Sequence, residues 1–328
     1  MSRLLRSIYR YNFRHTMATS STSGARKLQL TDEVRFPVPW GHIAAKVWGD
    51  PGGRPVLGLH GWQDNANSFD ALAPLLPTDF YFIVLDFPGH GRSSHRPPGL
   101  PNQFVEYLFD IKRVVDVLKW KRFSIIGHSM GGGIGVTFAG LFPELVERVV
   151  SLDLMAPVSR DPEMAPSLLR TSIEQTLGIE AVNKEEKTYT PEAALKRLLD
   201  ANASLTEEAG KILLERGTKV LEDGRVMFTR DHKVKTRTPL SFSNDHLLAF
   251  IKQMKCEYLA LRFLHSPDFE KARRQQFSEA FSQSCSKFEY VELPGNHYAH
   301  LVSAEVVAPS VCQFFSEYLS SAENRFAC

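Results

Sequence analysis

Serine is a weak nucleophile at its own pKa, so a serine that does chemistry has to be recognised by its setting. Ser129 has such a setting. It lies in Phe123–Gly135, FSIIGHSMGGGIG, where a short apolar run meets Gly127-His128-Ser129-Met130-Gly131. The run reads as a buried strand, the glycine-flanked residues as a tight turn and the remainder as a helix, which puts Ser129 at the apex of a G-x-S-x-G elbow. The glycines have a mechanical reason. A serine on so sharp a turn adopts strained φ/ψ angles, and a side chain two residues before or after it would collide with neighbouring backbone. The turn lifts the hydroxyl towards the carboxyl ends of the strands, where open α/β sheets bind ligands. The helix N-terminus aims the backbone N–H of Met130 at the place where a negative oxygen would develop. The predicted chemistry is attack by Ser129 Oγ on an acyl carbon. Without its strand and helix, the same pattern would be an ordinary glycine-rich loop.

Positioning that serine takes a mostly parallel sheet. Val34–Val38 and Ile43–Trp48 read as an opening hairpin at the sheet edge, where prolines are tolerated. Val56–Leu59 and Tyr81–Leu85 read as buried strands with a helix at Ser68–Leu76 between them. Phe104–Leu118 has helical spacing, the elbow helix runs to about Phe142, and Val149–Leu152 is another buried strand. Strands alternating with helices imply parallel pairing and right-handed crossovers. From 157 to 255 the alternation fails. Candidate helices at 163–177, 191–203, 205–217 and 244–254 accompany a hairpin around Asp223-Gly224. A segment of that length is too long for a structureless loop, so a mainly helical lid over the strand ends is expected. The strand Tyr258–Leu264, helix Glu270–Ser284, strand Phe288–Leu293 and amphipathic helix Ala304–Leu319 then complete an α/β core formed by 28–156 and 256–328.

Four separated motifs, His60-Gly61-Trp62, the loop DFPGHGRS at Asp86–Ser93, Gly127–Gly132 and Pro294-Gly295-Asn296-His297, resemble those of the α/β-hydrolase superfamily in order and spacing. The resemblance extends over about residues 33 to 319. Within the superfamily the chain is similar to the serine hydrolase-like proteins, through VPWGHIAAKVWG, LHGWQDNANSFD, LKWKRFSIIGHSMGG and LTEEAGKILLERGTKV. The resemblance implies a serine hydrolase acting on a carboxylic ester or thioester through an acyl-enzyme on Ser129, with His297 as general base. Backbone N–H groups of Trp62 and Met130 would form the oxyanion hole. The triad acid has two candidate places. Asp153, at the end of the strand Val149–Leu152, is the expectation. Asp268, after the strand Tyr258–Leu264, is the alternative; it stands about one residue later than the superfamily's usual acid, and Phe263 replaces a frequent glycine. His60, His128, His90, Asp86 and Arg92 are expected to hold loops. Serine at 129, and Gln63 where epoxide hydrolases carry proline, set aside the relatives that use an aspartate nucleophile. No cofactor or metal is implied, and the expected partner is a small acyl substrate.

Composition bounds the rest. The 328 residues are 43% hydrophobic and 23% charged, ordinary for a globular enzyme, and no apolar run approaches the ~20 residues that span a bilayer. The formal charge of +2 hides an asymmetry. Residues 1–27 carry six basic side chains and no acid, leaving 33 basic against 37 acidic residues, a net of −4, in the remainder. Nothing there suggests nucleic-acid binding. Arg3, Arg6, Arg10 and Arg14 share one helical face, and a Ser/Thr-rich stretch follows, the description of a mitochondrial transit peptide. A mitochondrial location is the expectation; the alternative is a disordered basic arm, and initiation at Met17 would leave the protein in the cytoplasm. Cys256, Cys285, Cys312 and Cys328 show no metal-ligand spacing. A different class of reading is a small-ligand binding or receptor protein on the same fold with vestigial hydrolysis. A purely structural interaction protein ranks behind it, because it gains nothing from an intact elbow. Oligomeric state leaves no mark on the sequence.

Overall fold

The computed structural model describes residues 27–100, 103–181, 187–236 and 241–323. Its strands are β1 (Leu30–Val38), β2 (Gly41–Trp48), β3 (Arg54–Leu59), β4 (Phe80–Leu85), β5 (Phe123–His128) and β6 (Val146–Leu152), then β7 (Thr188–Tyr189), β8 (Thr218–Val220), β9 (Val226–Phe228), β10 (Glu257–Phe263) and β11 (Lys287–Leu293). Its helices are α1 (Phe104–Leu118), α2 (Met130–Leu141), α3 (Ala165–Ala181), α4 (Pro191–Ala201), α5 (Glu207–Gly217), α6 (Asn244–Ile251), α7 (Arg274–Ser284), α8 (Ala299–Val302) and α9 (Ala304–Glu323). Eight strands form one sheet in the order β1-β2-β4-β3-β5-β6-β10-β11, and β7-β9-β8 form a second, small one. β2 runs antiparallel to both β1 and β4, and every other neighbour in the large sheet is parallel. Pro37 sits on β1, the edge strand, where a missing N–H costs no ladder bond.

Alternation along the central strands builds two cores. Leu57, Ile83, Ile125 and Val149 face one side, where α1, α2 and α7 cover them with Ile111, Phe138 and Phe281. Val56, Phe82, Ile126 and Val150 face the other, against Phe69, Leu72 and the α9 residues Val311 and Phe314. Both faces are apolar because both are covered, the usual state of a parallel sheet. Each of these fully buried large side chains contributes roughly 1.5–3 kcal/mol.

The helix expected at Ser68–Leu76 is instead two 3-10 turns, Ala66–Phe69 and Ala73–Leu75. Pro74 and Pro77 are the reason: proline removes a donor, and the residue before it is pushed out of the α region. The helix expected from Glu270 begins only at Arg274. The segment 157–255 carries α3–α6 and the small sheet, whose β8–β9 turn is Asp223-Gly224, with Gly224 at φ +79. Its final helix, α6, packs back into the core with Leu247 and Ile251. Side-chain bonds tie α5 to the rest. Asn65 and Asn67 donate to the carbonyls of Leu213 and Ile212, both at 2.9 Å. Arg216, fully buried, donates to Asp86 at 2.8 Å and to Glu33 at 2.7 Å. The basic leader expected at 1–27 lies, apart from Lys27, outside the described residues.

Candidate active site

Ser129 joins β5 to α2 at φ 49 and ψ −118, a conformation that L-residues rarely adopt. Two close approaches hold it there. A Cβ on Gly131 would stand 2.1 Å from the Leu59 carbonyl oxygen, and one on Gly127 would stand 2.4 Å from that of Gly131. The Ser129 N–H donates to Leu152 O at 2.9 Å, anchoring the turn to β6.

His297 follows β11 in the turn that Gly295, at φ 135, makes possible. Its Nε2 lies 3.0 Å from Ser129 Oγ, and its Nδ1 lies 2.6 Å from Asp153 Oδ2. An ionised carboxylate can only accept, so Nδ1 carries the proton and Nε2 offers its lone pair to the Ser129 hydroxyl. Asp153 sits just past β6 at φ 62, and its N–H continues the ladder to Leu261 O at 2.7 Å. Its other oxygen, Oδ1, accepts from the Phe263 N–H at 2.8 Å and from Arg262 Nη1 at 2.7 Å. The Arg262 guanidinium also reaches the carbonyls of Phe263 and Ser266. Burial pushes the Asp153 carboxyl up, but hydrogen bonds from His297, Ser266 and the Phe263 N–H outweigh it and hold the pKa below its ordinary value. Asp153 is thus charged and in contact with His297. Asp268 is exposed, pairs with Arg274, and has no hydrogen bond to His297 among the described residues.

Trp62 lies on the turn after β3, and Met130 is the first residue of α2. The Trp62 indole donates to Val234 O in the inserted segment at 2.6 Å. Gln63 stands at φ 65 and is held from both sides: its N–H meets His90 Nε2 at 3.3 Å and its carbonyl meets Arg230 at 3.4 Å. The neighbouring histidines bind backbone, as expected. His60 donates from Nδ1 to Gly61 O at 2.7 Å and accepts the Phe87 N–H at Nε2 at 3.0 Å, and burial lowers its pKa. His128 Nε2 donates to His297 O at 2.8 Å, while its Nδ1 lies 3.5 Å from Asp64, which accepts from Tyr298 at 3.0 Å. Asp86 accepts the N–H groups of Ala66 and Arg92 at 2.8 Å each.

Three residues of this region escape a reading of the sequence. Arg262 did leave a signal, a lone cation inside the apolar run LALRFL, because a buried charge demands a partner. Arg216 and Asp86 are 130 residues apart, and nothing local links them. Glu270, whose Oε1 accepts the Ala156 N–H at 2.9 Å, is raised to about 7 by burial, with the nearby Asp153 charge adding to it. Among the described residues no group of three or more His, Cys, Asp or Glu is placed to hold a metal, and no helix is long and apolar enough to cross a membrane.

Comparison with known proteins agrees with this architecture. A family model for the alpha/beta hydrolase fold matches residues 54–179. Serine hydrolase-like protein 2 of Homo sapiens is 40% identical over 299 residues, covering 87% of this chain and 94% of its own length. The serine hydrolase-like protein of Danio rerio is 38% identical over 290 residues, covering 87% and 89%. A solved structure, a hypothetical protein from Pseudomonas aeruginosa PAO1, matches with a TM-score of 0.77 at 31% identity, over 88% of this chain and all of its own.

Proposed function

The chain belongs to the serine hydrolase-like family of α/β hydrolases, and within that family we propose that it hydrolyses carboxylic esters or thioesters through an acyl-enzyme on Ser129. One observation carries the reading: Ser129, His297 and Asp153 form a continuous hydrogen-bonded chain, 3.0 and 2.6 Å between partners, ending on a serine in a strained elbow. His297 Nε2 takes the hydroxyl proton as Ser129 Oγ attacks the acyl carbon. The oxyanion that forms is held by the backbone N–H groups of Trp62 and Met130, each worth ~3–4 kcal/mol where such donors have been removed in other enzymes. The intermediate collapses by breaking the bond to the alcohol or thiol, which leaves with the proton from His297. Water, deprotonated by the same imidazole, then frees the acid. Asp153 keeps Nδ1 protonated and stabilises the imidazolium. The substrate is a small-to-medium acyl compound, and no cofactor takes part.

A fluorophosphonate probe should label the wild type and not Ser129→Ala, and p-nitrophenyl butyrate turnover should vanish with the labelling. A wild type that stays unlabelled sinks the proposal and favours a ligand-binding role for the fold.

A further inference from the structure

The inserted segment borders a cavity of about 280 Å³ whose walls carry Lys187, Arg197, Arg230 and Lys235 together with His95 and His232. Among the described lining residues Asp231 is the one carboxylate, and Arg197 and Arg230 are the two guanidinium groups. Asp231 is already engaged, capping the 3-10 turn His232–Lys235 by accepting the Lys233 N–H at 2.9 Å.

Among the described residues neither arginine has a carboxylate partner. The Arg197 guanidinium lies 5.7 Å from the centre of the Tyr189 ring and that of Arg230 lies 5.9 Å from Phe228, two rings that also line the cavity and meet edge to face. Arg230 spends one nitrogen on the Gln63 carbonyl, while its Nε is closed off from solvent without a hydrogen-bond partner. Burial lowers the pKa of this guanidinium, the mark of a cation short of compensation. An anion in the cavity would supply that compensation.

The chemistry of the walls selects the anion. Guanidinium forks match the paired oxygens of phosphate and carboxylate. A carboxylate brings one charge, whereas a phosphate monoester brings nearly two at neutral pH, one for each guanidinium. Tyr189 and Phe228 leave apolar wall for the organic part next to it. Arg230 links this cavity to the loop after β3, because the Gln63 it holds directly follows Trp62, and its guanidinium feels the charges of Asp64 and Tyr298.

We propose that the cavity is a subsite for a phosphorylated leaving group: the substrate is an ester or thioester whose alcohol or thiol carries phosphate, gripped by Arg197 and Arg230 while its acyl carbon meets Ser129. The substrate assignment rests on the hydrolase reading above; the anion site does not. The bond broken is the acyl C–O or C–S bond, and the phosphorylated alcohol or thiol departs with the proton from His297, its phosphate unchanged.

Two measurements on the full chain separate those parts. Inorganic diphosphate titrated calorimetrically into Ser129→Ala should bind with a sub-millimolar Kd that weakens at least about tenfold when Arg197→Gln is added. Arg197 is exposed and makes no hydrogen bond among the described residues, and an unchanged melting temperature will confirm that the double variant is folded. Absent diphosphate binding, or binding indifferent to Arg197, overturns the site. For the substrate, S-butyryl-4′-phosphopantetheine and S-butyrylpantetheine differ only in the phosphate. The wild type should prefer the first by about tenfold or more in kcat/KM, mainly through KM, and Arg197→Gln should bring that ratio towards one. Diphosphate binding with equal kcat/KM for the two thioesters overturns the leaving-group assignment. Diphosphate binding with no turnover of either thioester or of p-nitrophenyl butyrate overturns the hydrolase reading and leaves the anion site standing.

Discussion

Arg262 and His297 share Asp153 between them: Arg262 Nη1 takes Oδ1 at 2.7 Å, and His297 Nδ1 takes Oδ2 at 2.6 Å. The Asp153 side chain is 0% exposed, so each oxygen is fixed by one cationic or ring donor and neither is left to water. The arginine thus sets the rotation of the carboxylate that orients the imidazole.

Substituting Asp153 by Asn keeps the shape and removes the charge. Turnover of p-nitrophenyl butyrate by Asp153→Asn should fall by ~10⁴ in kcat, the loss seen for the same change in serine proteases. Asp268→Asn, which breaks only an exposed pair with Arg274, should stay close to wild type. The reverse ranking would move the acid to Asp268.

Removing Arg262 should show in stability before activity. Arg262→Met leaves a buried carboxylate without its cationic partner, a change that costs about 3–5 kcal/mol in comparable buried pairs. Chemical denaturation should register that loss. A midpoint within error of wild type would mean that the pair is energetically neutral.

The pair between Arg216 and Asp86 should act on the inserted segment. Arg216→Met leaves the wholly buried charge of Asp86 without its cation and leaves Glu33 to Arg92 alone. Amide exchange in α5 should accelerate while β5 and β6 stay protected. Arg216→Lys should rescue little, because one ammonium cannot span both carboxylates with the guanidinium's geometry. Uniform acceleration across the chain would show instead that the pair supports global stability.

Glu270 makes stability depend on pH. Its carboxyl is raised from 4.5 to about 7 by burial, with backbone N–H groups of Ala156 and Met155 opposing that rise. The folded state therefore holds this proton more tightly than the unfolded chain does. The stabilisation is complete below the unfolded value, about 4.5, and is lost as pH rises through about 7, a span of about 3 kcal/mol. Melting temperature should drop between about pH 5 and pH 8 in the wild type and drop less in Glu270→Gln. Parallel curves for the two proteins would remove Glu270 from the account.

The basic leader, proposed as a mitochondrial address, is tested by fusing residues 1–27 to a fluorescent reporter. Mitochondrial fluorescence and a shortened product are expected. Diffuse fluorescence would favour a basic arm or initiation at Met17.

The sheet and the elbow were legible because their demands are local. Glycines at 127 and 131 are required by atoms within a few residues or on one adjacent strand, and the alternating strands announce their pairing by composition. The Ser68–Leu76 stretch has helical apolar spacing, but Pro74 within it and Pro77 just beyond it leave room only for two 3-10 turns. The partners of Arg262, Arg216 and Glu270 are illegible for a different reason. Each partner lies more than a hundred residues away, and sequence spacing carries no record of such pairings. The cavity in the inserted segment is a still more distant assembly, drawing His95 from one side of the elbow and Arg197, Phe228 and Arg230 from the other.

β6 and β10 are hydrogen-bonded neighbours, from Arg148 with Glu257 to Leu152 with Leu261. The chain therefore leaves the sheet and re-enters it in adjacent slots, and everything between is a detour that closes on itself. Such a detour can be lengthened, trimmed or replaced in descent without changing the register of any strand. Asp153 at the exit and Arg262 at the re-entry would meet as before. A new detour must preserve a cation to meet Asp86, carbonyls for Asn65 and Asn67, and the apolar side of α6 that carries Leu247 and Ile251 into the core. Substrate preference in this lineage can then diversify by exchange of one cassette while the reacting atoms keep their places.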